Sequence, residues 1–284
     1  MTGWSLAPTP LELSLAALLG LLIGSFLNVL IYRLPVMMER AWARDCAAAA
    51  DAPATQQETF NLLVPRSRCG HCGHVLRWFE NIPVLSFMAL RGACASCKTP
   101  LSWRYPLVEV SSAALFAYCA QRWGISPAGA AWACFGCLLL ASALIDWDTT
   151  YLPDDLTLAM LWLGLLSASL GYSGVTLDDA LWGAVAGYSS LWSVFWVFKL
   201  LTGKDGMGYG DFKLFAALGA WFGGVALVPL ILVASCSGAL VGLAMQWRGA
   251  LRDGGVVPFG PFLALGGAVV LIIEPTVLTQ WVRA

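Results

Sequence analysis

Eight mainly apolar stretches, at 11–32, 105–122, 128–145, 156–172, 179–200, 211–223, 225–247 and 258–279, limit what this chain can fold into. A bilayer core takes about 20 apolar residues per helix, and inside lipid every backbone polar group must pair within its own segment. Runs of this length point to an all-α polytopic membrane protein with about eight transmembrane helices. A hydrophobic share of 59% against 12% charged residues agrees with that class. The sixth stretch is short and is expected to tilt or to lie within the others. No basic residue precedes the first, which therefore reads as a retained anchor rather than a cleaved signal peptide.

One large polar segment, 34–104, separates the first stretch from the second. The expected organisation is a first transmembrane helix at 1–33, a soluble domain at 34–104 and a membrane domain at 105–284. Within the soluble domain the run "CAAAADAPATQQET" is of low complexity and is expected to be mobile. Lys and Arg set the orientation. With 34–104 on the cytoplasmic side, alternation of the spans puts 14 of the 16 basic residues inside and leaves only Arg122 and Arg283 outside. Both chain ends then face outward.

The polar segment carries "RCGHCGH" and "ACASCK". In each motif, two residues separate the cysteines, so both thiolates of a tight turn can face one ion. Cys69, Cys72, Cys94 and Cys97 together make the ligand set of a closed, tetrahedral structural zinc site. Redox disulfides or free thiols are the alternative. His71 and His74 fit best beside the ligands rather than among them. Cys134 and Cys137 fall within the third apolar stretch and read as core residues.

The chain's two histidines both lie in the first cysteine turn. A Ser-His-Asp triad, a histidine-held catalytic metal and a Cys-His pair are therefore excluded elsewhere, and any acid–base chemistry there falls to carboxylates or lysines. Asp146, Asp148, Asp154 and Asp155 cluster in "IDWDTTYLPDD"; Asp205 and Asp211 flank a run of glycines. Counting spans brings Asp146, at the end of the third, and Asp211, at the start of the sixth, to the same membrane face. Asp178 and Asp179 fall on the opposite face and read as a solvated helix start. Two carboxylates held together share a proton and activate water against a carbonyl. Proton-carrying aspartates of a transporter and plain helix caps are the competing readings, and capping suits Asp154 and Asp155. By helix dipoles, Asp211 at a helix N-terminus is expected to be the anion and Asp146 at a C-terminus the proton holder.

The glycines of "GMGYGDFK", 206–213, superficially match a nucleotide loop. Such a loop leaves a strand and opens a helix in a βαβ unit, whereas here an apolar span precedes it. Glycines at Gly208 and Gly210 would instead let an extended peptide backbone approach the carboxylate.

"GMGYGDFK" and "LIDWDTTYLPDD", with "GSFLNVLIYRLP" (24–35), the paired cysteine motifs and "PFGPFLA" (258–264), resemble the type IV prepilin peptidases. These are prepilin leader peptidase/N-methyltransferases of type IV pilus and type II secretion systems, Gly-x-Gly-Asp membrane aspartic proteases. The resemblance covers nearly the whole chain. It implies that Asp146 and Asp211 are catalytic, with Asp148 the near alternative to Asp146. It implies a bacterial inner (cytoplasmic) membrane enzyme with its active site facing the cytoplasm. Type IV prepilins and pseudopilins are the implied substrates, the bilayer the surrounding partner, and no nucleic acid is expected. Their leaders would be cut after a glycine and the new amino terminus, usually phenylalanine, methylated with S-adenosylmethionine. The family places methylation with the large cytoplasmic domain, where Asn28, Arg33, Glu80, Trp103, Arg104 and Glu109 are the candidates. Their alternative roles are structural: Arg33 and Arg104 as positive anchors and Trp103 as an interfacial aromatic. A peptidase without methylation remains the second possibility.

Overall fold

The apolar runs become helices. The computed structural model describes residues 8–50, 59–249 and 257–273, and among them every regular element is helical, with two isolated antiparallel bridges. Residues 51–58 of the low-complexity run, Arg252 and Arg283 of the charge count and 274–279 of the last apolar stretch lie outside the described residues. The chain divides into two compact units, Met1–Gly129 and Ala130–Ala284.

The first unit begins with α1 (Pro10–Ala49). Thr9 starts it by a capping box: its hydroxyl accepts the Glu12 amide at 3.3 Å, and Glu12 accepts the Thr9 amide at 2.7 Å. Pro10 suits the first helical position because its missing N–H has no partner to lose there. The helix runs on to Ala49, well beyond the apolar stretch and through Pro35. Hydropathy drops after Arg33, but Met, Glu, Arg and Ala are strong helix formers, so the helix outlasts its apolar face.

α1 packs antiparallel against α3 (Arg104–Trp123). A Cβ on Gly20 would lie 2.6 Å from the Ser112 carbonyl oxygen, and one on Gly24 2.7 Å from the Glu109 Cα. Small residues four apart thus bring the two backbones together. One turn on, Asn28 Nδ2 donates to the Tyr105 carbonyl at 3.1 Å. Between these helices the chain forms a 3-10 turn at Trp78–Asn81 and the short α2 (Leu85–Ala89).

The second unit holds most of α4 (Pro127–Thr149), then α5 (Asp154–Ser169), α6 (Leu177–Thr202), α7 (Tyr209–Phe222), α8 (Leu227–Trp247) and α9 (Gly260–Ile273). Its centre is α7, where every residue from Asp211 to Phe222 except Lys213 is buried. With 14 residues, α7 is about 21 Å long, short of the roughly 30 Å hydrocarbon layer, so its apolar surface is covered by protein. α5 covers it at Trp221, whose Nε1 donates to the Met160 carbonyl at 2.9 Å. Trp132 and Phe135 of α4 stack on the same indole, each with centroids 4.6 Å away. α6 crosses α7 where Gly183 and Gly219 meet backbone to backbone.

That contact leaves no room for a side chain. Gly183→Val is expected to cost at least the 1–3 kcal/mol or so typical of overpacking, seen as a lowered unfolding midpoint in detergent. An unchanged midpoint would mean α6 and α7 are not held together there.

Among the described residues, eight long helices fall on the eight apolar stretches, the last of which is described only to Ile273. Four of them, Pro10–Ala49, Pro127–Thr149, Leu177–Thr202 and the Gly224–Trp247 segment containing α8, are by length and hydropathy able to cross a membrane unaided. α9 is apolar but shorter.

Candidate functional site

The second unit brings the two aspartates together. Asp146 sits in the last turn of α4 and Asp211 in the first turn of α7, with exposures of 5% and 6%. They are close enough for the charge of Asp146 to act directly on Asp211. The Asp211 Oδ1 atom is buried and has no hydrogen-bond partner among the described residues. An acidic pair in a water-poor setting is costly, and such sites are characteristically functional. Asp148, two residues beyond Asp146, is exposed.

A third element completes this arrangement. The amide of Gly260, first residue of α9, donates to Asp146 Oδ2 at 3.0 Å. A Cβ on Gly260 would fall 2.6 Å from the same oxygen, so the approach depends on glycine. The division of labour expected from the termini of α4 and α7 did not include this donor: Asp146 meets the N-terminus of α9 as well as the C-terminus of α4. In "PFGPF" the Gly-Pro before an apolar run suits a helix start, but nothing local says whose carboxylate its amide meets.

The glycines of 206–213 divide their work. A Cβ on Gly210 would lie 2.6 Å from Leu152 Cβ, so Gly210 serves packing; one on Gly208 would meet only Asp211 Oδ2, at 3.8 Å. The space beside Gly208 therefore opens onto the carboxylate. The expectation that Asp154 and Asp155 cap α5 is corrected, since its N-cap is Pro153 and no side chain caps it. Asp154 instead grips Lys213 Nζ with both oxygens, each at 2.6 Å, tying the start of α5 to the first turn of α7. Thr176 caps α6, accepting the Asp179 amide at 3.2 Å, with Asp178 and Asp179 exposed.

In the first unit, each cysteine pair sits in a turn closed by an antiparallel bridge, Arg68 with Val75 and Ala93 with Pro100. The residue after the second cysteine of each turn, Gly73 or Lys98, takes a positive φ of 70° or 59°. The four Sγ atoms lie within 4.8 Å of one another, with Cys69–Cys97 at 3.8 Å and Cys72–Cys94 at 3.9 Å. These distances exceed a disulfide bond of about 2.05 Å and fit the roughly 3.8 Å edge of a tetrahedron with metal–sulfur bonds of about 2.3 Å. The Thr99 hydroxyl, then the Thr99 amide, hold the Cys97 thiol down to about 5, so it is poised as a thiolate. His71 is exposed, while His74 Nε2 lies 3.0 Å from Glu80 Oε2. The Arg77 amide first, and the His74 ring after it, hold the Glu80 carboxyl below its ordinary range.

A cavity of about 390 Å³ opens beside this cluster. Asn28, Arg33, Glu80 and Glu109 all line it. Trp103 stands off its wall, stacked on Phe87 with centroids 4.9 Å apart, and Arg104 begins α3 outside it. Arg33 is 7% exposed and donates to the carbonyls of Asn61 at 2.8 Å and Pro65 at 2.6 Å. It is thus a buried strut of the cavity wall, more than a charge at the membrane surface.

Two family profiles match the chain: "Bacterial Peptidase A24 N-terminal domain" over residues 18–123 and "Type IV leader peptidase family" over residues 133–243. Curated relatives carry the name prepilin leader peptidase/N-methyltransferase. One from Burkholderia pseudomallei (strain 1026b) is 50% identical over 95% of this chain and 88% of its own. Another, from Stutzerimonas stutzeri, is 51% identical over 94% and 93%, and one from Neisseria gonorrhoeae is 47% identical over 95% and 93%. No solved structure matches the chain.

Proposed function

The chain belongs to the type IV leader peptidase family, and from that membership we infer a membrane enzyme with two activities, a prepilin peptidase and an N-methyltransferase. Its substrates are type IV prepilins or type II secretion pseudopilins. The leader is cut after a glycine at the cytoplasmic face of the inner membrane, and the new terminal residue, usually phenylalanine, is methylated. On this reading the long helices lie in the membrane, with the short α7 enclosed among the others. The cysteine-bearing soluble segment, 34–104, and the aspartate pair then both face the cytoplasm.

The buried Asp146–Asp211 pair carries the peptidase reading. One carboxylate takes a proton from water as it attacks the scissile carbonyl, while the protonated partner donates to the carbonyl oxygen. The proton taken from water then passes to the leaving amine as the C–N bond breaks, and the partner recovers its own proton as the carbonyl reforms. Gly208 leaves the space for the substrate backbone; Gly210 and the Gly260 amide hold the frame. Asp148, being exposed, is the weaker claimant for the first position.

Zinc is the ion we assign to Cys69, Cys72, Cys94 and Cys97, since four thiolates suit a structural site without an open position. S-adenosylmethionine, when bound, supplies the methyl group. Its site is assigned to the 390 Å³ cavity, whose size suits a small-molecule ligand. Arg33 would buttress that site, and Asn28 and Glu80 would face the ligand. Trp103 and Arg104 flank the same segment.

The deciding assay mixes purified enzyme with a leader-bearing prepilin, with and without S-adenosylmethionine, and reads products by mass spectrometry. Leader loss in both arms and one added methyl group in the second are expected. An intact substrate would remove the peptidase reading; cleavage without added methyl would remove only the second activity.

A further inference from the structure

The cavity of the first unit holds two carboxylates, and their surroundings give them different work. Glu80 is occupied by its own turn, since Oε2 takes the Arg77 amide at 2.9 Å and the His74 ring at 3.0 Å. Glu109 lies on α3, inside an apolar stretch, opposite Gly24 of α1. Oε2 takes the Val84 amide at 2.7 Å, and the Ser25 hydroxyl donates to the same carboxyl. A carboxylate offers about four lone-pair directions, so these two donors leave room for another.

We propose that Glu109 receives the α-ammonium of the methyl acceptor in this cavity and takes its proton. The proposal rests on the methyl-transfer reading above. The acceptor is the amino terminus of a chain whose apolar helix stays in the bilayer. Such a terminus reaches the cavity along the α1–α3 wall, where Ser25, Asn28, Tyr105 and Glu109 stand. An α-amine has an ordinary pKa near 8, so at neutral pH it arrives protonated and has no lone pair to offer. Bringing that charge into an apolar setting is costly without an opposite partner, and Glu109 supplies it. The N–H bond then breaks, with the proton passing to the Glu109 carboxylate. The freed lone pair forms the N–CH₃ bond while the donor's S–CH₃ bond breaks, its electron pair staying on sulfur. Glu109 is held firmly enough for this, because Gly24 pins its Cα against α1.

The test compares wild type, Glu109→Gln and Glu109→Asp on a leader-bearing prepilin. Mass spectrometry reads cleavage and methyl addition, calorimetry reads binding of S-adenosylhomocysteine, and bound zinc reports the fold. Glu109→Gln should keep cleavage, zinc and S-adenosylhomocysteine affinity while methyl addition falls by about 10²-fold or more. Glu109→Asp, which keeps the charge on a shorter arm, should recover much of that loss. Methylation by Glu109→Gln at the wild-type rate would overturn the proposal. So would loss of S-adenosylhomocysteine binding with zinc retained, because Glu109 would then be holding the donor. Should Glu109→Gln shed its zinc, Glu109→Asp decides. Slowed methylation with zinc and binding intact supports the role, and an unslowed rate ends it. A wild-type enzyme that adds no methyl group would instead bring down the methyl-transfer reading itself.

Discussion

Asp211→Asn and Asp146→Asn are each expected to lower the rate of leader cleavage by about 10³-fold or more, the scale of losing a general acid or base. The change is nearly isosteric, so the fold is little disturbed. In Asp146→Asn the amide's carbonyl oxygen still accepts the Gly260 amide, which preserves the frame between α4 and α9. What is lost is the ability to exchange a proton. An amide can neither take one from water nor hand one to a leaving amine. Because the two carboxylates act as one unit, the double variant should be hardly worse than either single change. Asp148→Asn should cut at close to the wild-type rate. Single-turnover cleavage followed by mass spectrometry measures all four. Wild-type cleavage by Asp146→Asn would remove that residue from the site, and a dead Asp148→Asn would reopen the first position. The same variants should methylate a precleaved substrate normally, since the cavity assigned to methylation is lined entirely by first-unit residues.

The second large effect is expected from removing the metal. Among the described residues between α1 and α3, the soluble segment has one 3-10 turn, a five-residue helix and two isolated bridges. So little regular structure buries too little apolar surface to offset the entropy of ordering the segment. Structural zinc supplies about 10–16 kcal/mol in comparable small sites. Cys69→Ser, or prolonged chelation, should therefore cost the bound ion and disorder the cavity wall formed by residues from Pro65 to Glu80. Methyl addition should fall with zinc content. Cleavage should largely survive, because the second unit has its own core around α7. Metal analysis beside the two-product assay checks this. Full methylation by zinc-free protein, or equal loss of both activities, would contradict it.

Much of this molecule was legible in its local sequence. The helices follow from the apolar runs. The four cysteines follow from spacing, because a Cys-x-x-Cys turn presents both thiols to one side wherever it stands. Counting spans put Asp146 and Asp211 at one face, since each crossing reverses direction whatever the packing. Where α1 ends was less legible. Hydropathy stops near Arg33, but helix propensity continues to Ala49, and the two signals diverge when a helix leaves its apolar surroundings.

Other features needed the tertiary structure. "YLPDD" reads as a capping turn, yet Lys213, 59 positions away from Asp154, took that carboxylate into an ion pair. The Gly260 amide meets Asp146 across 114 positions. Arg33 became a strut only because the carbonyls of Asn61 and Pro65 came within reach, and Glu109 faces a cavity only because Gly24 lets α3 close on α1. By itself, then, the sequence determined which segments are helical, where the thiols gather and that Asp146 and Asp211 belong at one end of their helices. These depend on interactions within a few residues or on the count of crossings. Which donor meets which carboxylate was decided by the packed helices alone, because a hydrogen bond is made or lost within about half an ångström, and that precision comes from side-chain contacts between distant segments.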